Sequence, residues 1–200
     1  MLIGLHGLPR CGKDTIADYL VDVYGFRKIS FAQALYAEVA KSFRVTVEQL
    51  QSHEWKTVPQ AQLAINCSDD ALFQFEMAHY VVSGQIYAKR TSREILQFWG
   101  TEYRRRVTQN YWLSKFERNR SLHAGNVVAP DVRFDNEAAI IRRENGKILH
   151  ITRPGCLRSN HESDKLLSEE FLERSMANDG TLEMLYQKID FYMKGIKWNR

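Results

Sequence analysis

The stretch Gly7-Leu-Pro-Arg-Cys-Gly-Lys-Asp-Thr15 decides how this chain is read. It follows a short apolar run, LIGLH from Leu2 to His6. It precedes a segment where Ile16, Tyr19, Leu20 and Val23 recur at helical spacing up to Gly25, a natural helix stop. Strand, glycine-bracketed turn and helix in that order, with G-x-x-x-x-G-K at the turn, form a phosphate-binding loop pattern. Glycines let the backbone approach phosphate oxygens, and successive N–H groups with the helix N-terminus make an anion cradle. Lys13 adds a point charge for the terminal phosphates. The last position departs from the pattern. Asp14 suits the helix dipole but offers a magnesium ion no hydroxyl, and Thr15 is next in line.

Further along, FRKIS (Phe26 to Ser30) reads as a second strand and a helix follows from about Ala32 to Phe43. NVVAP (Asn126 to Pro130), KILHIT (Lys147 to Thr152) and the short Ser175 to Ala177 read as three more strands. Asn136 to Glu144 is a helix between the third and fourth. Thr181 to Lys194 closes the chain as a helix with Leu182, Leu185, Ile189 and Tyr192 on one face. The middle is helical and polar: Thr46 to Gln49 resembles a capping box, and Ser92 is placed to cap a long helix carrying Ile95, Leu96, Phe98, Trp99 and Tyr103. The alternation predicts an α/β fold of the P-loop NTPase type: three layers around a parallel sheet of about five strands, plus a helical nucleotide-binding or lid region. The expected organisation is one domain, 1–200, with a helical excursion at about 45–125. Gly7, Ser30, Asp131 and Arg153 all fall at carboxyl ends of strands, where such sheets bind ligands.

The totals narrow the function classes. Hydrophobic residues are 44% and charged residues 26% of 200, an ordinary globular composition. The net charge of +4 suits an anionic small molecule as well as a nucleic acid, but no long basic stripe with interleaved aromatics appears. Cys11, Cys67 and Cys156 form no C-x-x-C pair, which argues against a disulfide framework or a zinc site and fits a reducing compartment. No run approaches the ~18 apolar residues of a membrane span, and the expectation is a cytoplasmic protein without membrane or nucleic-acid partners.

Asp131 ends an apolar strand, as an acid holding magnesium or its waters does; the competing role is a helix cap, shared with Asp135. Candidate phosphate-binding arginines are Arg10, Arg93, Arg104, Arg105, Arg106, Arg133 and Arg153. Trp112, Tyr111 and Phe116 read as core rather than base-stacking platforms. His161 with Glu162, Ser163 and Asp164 reads as a solvated loop, and the six histidines lack the spacing of a metal site.

Taken together, GLPRCGKDT, REILQFWGTEYRR with NYWLSKF, VVAPDVRFDNEA, HITRPG and NDGTLEMLYQKI resemble the phage deoxynucleoside monophosphate kinases, a branch of the adenylate-kinase-like P-loop kinases. The resemblance covers about Leu2 to Ile189, with a variable middle from Val45 to Arg90. It implies transfer of the γ-phosphoryl of ATP to a deoxynucleoside monophosphate with magnesium, by a monomer or homodimer. Lys13, Arg133 and Asp131 would be catalytic, with Thr15 and Asp131 at the metal. Arg10, Gly12, Lys13, Asp14, Thr15, Arg153, Asn178 and Gly180 would bind ATP. Tyr36, Lys56, Arg93, Gly100, Thr101, Arg104, Trp112, Arg133 and Glu137 would bind the acceptor, with Glu137 reading polar groups of base or sugar. Arg104 to Arg106 would travel with a closing segment. One departure stands out: FAQALYAEV places Tyr36 where the family often has a lysine, and Lys56 is the substitute charge. The rival readings are another small-molecule P-loop kinase (dephospho-coenzyme A or phosphomevalonate type), a nucleic-acid-binding ATPase, and a nucleotide-binding module without chemistry.

Overall fold

A computed structural model describes residues 1–82, 84–156, 165–172 and 174–196; the His161 to Asp164 run lies outside them. The elements follow in chain order as β1 (Leu2–His6), α1 (Lys13–Tyr24), β2 (Arg27–Lys28), α2 (Gln33–Phe43), α3 (Val47–Gln51), α4 (His53–Thr57), α5 (Ala71–Tyr80), α6 (Ser92–Gln97), α7 (Tyr111–Ser121), β3 (Val127–Ala129), α8 (Asp135–Arg143), β4 (Lys147–Thr152), β5 (Ser175–Ala177) and α9 (Leu182–Gly195). The chain divides into two compact units. Unit 1 is Met1–Phe31 with Phe116–Arg200, and unit 2 is the continuous segment Ala32–Lys115.

Unit 1 holds a five-stranded sheet in the order β2-β3-β1-β4-β5, every pairing parallel. β1 is buried at all five positions, as its unbroken apolar run requires at the centre of a sheet covered on both faces. β1 is the central strand, with β3 and then the edge strand β2 on one side and β4 and then β5 on the other. β1 therefore lies where the strand order reverses, and Gly7 begins just past it. Ile3, Leu5, Ile16, Leu20, Val128, Leu149, Leu185 and Ile189 form the core between sheet and helices. α1 stops as its sequence says: Gly25 takes the left-handed conformation at φ 67° and its N–H bonds Val21 O at 3.2 Å.

Unit 2 is helical around Phe43, Leu50, Leu63, Phe73, Trp99, Tyr103 and Trp112. The capping box at Thr46 and Gln49 is present. The cap of α6 is Thr91, not Ser92: Thr91 and Glu94 form a reciprocal box, while Ser92 is fully buried one residue inside. Past Gln97 the helix widens into a π-helix over Phe98–Arg105, a rare geometry that concentrates at functional positions. In α9 the buried face is Leu185, Ile189, Tyr192 and Met193, and Leu182 is exposed because it opens the first turn beyond the sheet.

Candidate active site

The phosphate loop is shaped by close approaches that only glycine permits. A Cβ on Gly7 would stand 2.3 Å from the carbonyl oxygen of Ile151, and one on Gly12 would stand 2.5 Å from Asn178 Nδ2, both at positive φ. Arg10 also adopts a left-handed φ of 65°, which turns the loop between the glycines. Gly12 is the N-cap of α1, so no side chain accepts from the first N–H groups of that helix, and these point into the loop. Lys13 Nζ donates to Gly7 O at 2.7 Å and Leu8 O at 2.8 Å, which sets its ammonium at the loop's mouth. Cys11, beneath it, is buried with Sγ 3.6 Å from that nitrogen; burial pushes its thiol up, against the opposing pull of Lys13. Asn178 Nδ2 donates to Cys11 O at 2.9 Å, tying the β5–α9 loop to the phosphate loop. Asp14 is exposed in the first turn of α1 and Thr15 is half-buried. Arg153 and Gly180 are exposed just beyond β4 and β5.

Across the sheet ends, Asp131 accepts from Ser30 Oγ at 2.6 Å and from the Phe31 N–H at 3.0 Å. The ends of β2 and β3 therefore meet at this carboxylate. The next turn docks on β1: Val132 N–H donates to Leu5 O at 3.1 Å, and His6 Nδ1 donates to Val132 O at 2.8 Å. His6 is buried, and its ring stacks on that of His150 with centroids 5.1 Å apart. Burial, then the charges of His150, Lys13 and Arg133, hold its pKa down at about 4 against the hydrogen bond to Val132, so the ring is neutral at physiological pH. Glu137, expected to read an acceptor's polar groups, is buried. Its Oε2 accepts from the N–H groups of Arg133 at 2.8 Å and Phe134 at 3.3 Å, at the start of its own helix. Arg133 itself is exposed. Among the described residues no group of three or more His, Cys, Asp or Glu forms a ready metal site. The donors at hand are the Thr15 hydroxyl and the Asp131 carboxylate, hard oxygens of the kind that magnesium takes together with phosphate oxygens.

In unit 2 one of the other candidates, Arg104, sits on an acid that the sequence did not single out. Glu38 accepts from Trp99 Nε1 at 3.0 Å, Arg104 Nε at 3.1 Å and Tyr111 OH at 2.6 Å. Asp70, the cap of α5, accepts from Tyr103 OH at 3.1 Å and pairs with Arg104 at 3.6 Å. The Arg104 guanidinium lies over the rings of Trp99, Tyr103 and Tyr111, at 4.4 Å from the Tyr103 centroid. Arg104 is thus held by two carboxylates and three rings. Burial and then Glu38 push the Tyr111 hydroxyl up to about 12. Trp112 is core, and its Nε1 donates to Gly100 O at 3.0 Å. Gly100 also admits Leu35, which a Cβ there would meet at 3.2 Å. Thr101 and Tyr36 are half-buried, Lys56 is half-buried in the last turn of α4, and Arg93 is exposed on α6.

His6 carried a visible signal, a polar residue ending an apolar strand. Glu38 and Asp70 carried none, because their partners lie 61 and 33 residues away.

A parallel sheet whose central strand runs into this loop and helix defines a P-loop nucleotide-binding protein. Residues 57–189 match the family model for deoxynucleotide monophosphate kinase. The chain is 31% identical over 206 residues to a protein of Acanthamoeba polyphaga mimivirus provisionally named deoxynucleotide monophosphate kinase, covering 94% of each. It is 26% identical over 223 residues to the deoxynucleoside-5'-monophosphate kinase of Escherichia phage T5, covering 89% of each. Among solved structures it is similar to a shikimate kinase from Aquifex aeolicus, at 12% identity and a TM-score of 0.45, covering 98% of this chain and 97% of the other. The chain belongs to the deoxynucleotide monophosphate kinase family.

Proposed function

We infer that this chain transfers the terminal phosphoryl group of ATP to a deoxynucleoside 5'-monophosphate, giving the diphosphate. The observation that carries the reading is the Lys13 ammonium at the mouth of a glycine-shaped loop, above a helix N-terminus without a side-chain cap, in a chain of this family. The loop amides and Lys13 bind the β- and γ-phosphates of ATP, with Arg10 at the loop's rim and Asp14 in the first helical turn. Arg153, Asn178 and Gly180 border the donor base. Thr15 and Asp131 would hold magnesium, whose charge, when it is bound, offsets that of the phosphates. Arg133 holds the acceptor phosphate in line. In unit 2 the same reading gives Tyr36, Lys56, Arg93, Gly100, Thr101, Arg104, Trp112 and the anchoring Glu38 to acceptor recognition. No covalent intermediate is needed, since positioning and electrostatic stabilisation supply the catalysis.

The chain works as one kinase domain, 1–200, with a helical excursion at about 45–125, as a monomer or homodimer in the cytoplasm. None of the helices among the described residues is long and apolar enough to cross a membrane.

An ADP-release assay with ATP and magnesium, adding dAMP, dGMP, dCMP, dTMP and 5-hydroxymethyl-dCMP in turn, tests this reading. Turnover with at least one of them is expected. Turnover with dephospho-coenzyme A alone, ATP hydrolysis stimulated by DNA alone, or ATP binding without transfer would each replace the reading with a rival.

A further inference from the structure

Two of the few buried polar side chains among the described residues, His6 and Glu137, hold the same peptide group. The carbonyl of the Val132–Arg133 peptide accepts from His6 Nδ1 at 2.8 Å, and the N–H of that peptide donates to Glu137 Oε2 at 2.8 Å. One end is held from β1, the other from α8, 131 residues apart in sequence. Val132 N–H, bonded to Leu5 O at 3.1 Å, fixes the peptide before it. The His150 ring lies against His6 and limits its tilt.

Glu137 Oε2 also accepts from the Phe134 N–H at 3.3 Å, so the peptide planes on both sides of the Arg133 Cα are held, and together they fix the direction in which the Cα–Cβ bond of the exposed Arg133 leaves the backbone. A turn of this length can be closed by backbone bonds alone. A buried carboxylate and a buried imidazole are a costly way to close it unless their placement matters. Among the described residues His6 Nε2 is buried without a hydrogen-bond partner, and the ring's hydrogen bond is the one from Nδ1 to Val132 O.

We propose that His6 and Glu137 are positioning residues for phosphoryl transfer: by holding both ends of the Val132–Arg133 peptide they aim the Arg133 guanidinium at the acceptor phosphate. The proposal rests on the reading of Arg133 as the acceptor's phosphate ligand. It moves Glu137 from reading the acceptor's base or sugar to aiming the arginine beside it.

The test is a double-mutant cycle on acceptor binding, read as the Kd of the preferred deoxynucleoside monophosphate by calorimetry and as KM wherever turnover persists. His6→Phe keeps the ring and loses the donor, while His6→Asn keeps an amide N–H near the place of Nδ1. His6→Phe is expected to weaken the monophosphate about tenfold and to leave the KM for ATP within about twofold. His6→Asn is expected to restore binding to within about threefold of the native protein. In an Arg133→Ala background, His6→Phe adds less than about twofold, because the residue it acts through is gone. Equal factors with and without Arg133, or a lowered melting temperature with unchanged Kd, would overturn the proposal. If His6→Phe does not fold, Glu137→Gln enters the same cycle with the same expected coupling. A native protein that neither binds nor phosphorylates any deoxynucleoside monophosphate removes the functional reading and the proposal together. An active native protein with an additive cycle removes the proposal alone.

Discussion

Asn178 donates its side-chain amide to the carbonyl of Cys11 across 2.9 Å, and Gly12 lies against the same amide so closely that a Cβ there would be 2.5 Å from it. The phosphate loop is thus set by the β5–α9 loop as well as by its own glycines. Asn178→Leu removes the bond and crowds Gly12. Its KM for ATP should rise about tenfold, with the KM for the monophosphate changed less. Steady-state kinetics with each substrate varied in turn checks this, and an effect on the monophosphate alone would place Asn178 on the acceptor side.

Lys13 Nζ is held at the mouth of the loop by the carbonyls of Gly7 and Leu8. Lys13→Ala should lower kcat at least about a thousandfold while the melting temperature stays within a few degrees. Comparing kcat with thermal melting separates lost chemistry from lost fold.

Gly7 marks where sheet and loop cannot part. A Cβ there meets backbone, Ile151 O at 2.3 Å, and not the movable end of a side chain. Gly7→Ala should cost about 2 to 3 kcal/mol in urea unfolding. A neutral outcome would mean that the loop's root is looser than its contacts with β4 indicate.

His6 gives stability a pH dependence of known sign. Its pKa is about 4 in the folded chain against an ordinary value of 6.5, so the unfolded chain takes up the proton first as pH falls. The contribution is complete above about pH 6.5 and is lost as pH falls through 6.5 to 4, reaching about 3 kcal/mol. Carboxylates titrate in part of that window, so the comparison is the unfolding free energy of native and His6→Asn proteins at several pH values. The native protein should show the steeper loss between pH 6.5 and 4.

Glu38 is the acceptor for three donors in unit 2. Glu38→Ala leaves Tyr111, Trp99 and Arg104 without it and should destabilise the chain by about 2 kcal/mol. Chemical unfolding measures the loss.

β1 and β3 were legible because each is a buried apolar run stopped by a turn residue, while β2 (Arg27–Lys28, both exposed) and β5 (Ser175–Ala177) carry little apolar signal of their own. The phosphate loop was legible because its function demands glycines and a lysine at fixed spacing. The anchor around Arg104 was not, since Glu38 and Asp70 look like ordinary solvated acids until the chain brings Trp99, Tyr103 and Tyr111 to them. The cap of α6 was misread by one residue because Thr91 and Ser92 are chemically alike, and only the reach of Glu94 back to the Thr91 N–H distinguishes them. The role of Glu137 in reading a substrate came from the family resemblance and not from its own sequence surroundings. Its burial under the amides of Arg133 and Phe134 is a tertiary fact.

The central claim is a transfer, so the most direct measurement follows the phosphoryl group itself. ATP labelled in its γ-phosphate is incubated with magnesium, the protein and each deoxynucleoside monophosphate, and the products are separated. The account predicts label in a deoxynucleoside diphosphate, absent without acceptor and absent with Lys13→Ala. Label appearing only as inorganic phosphate, whatever acceptor is present, would contradict it.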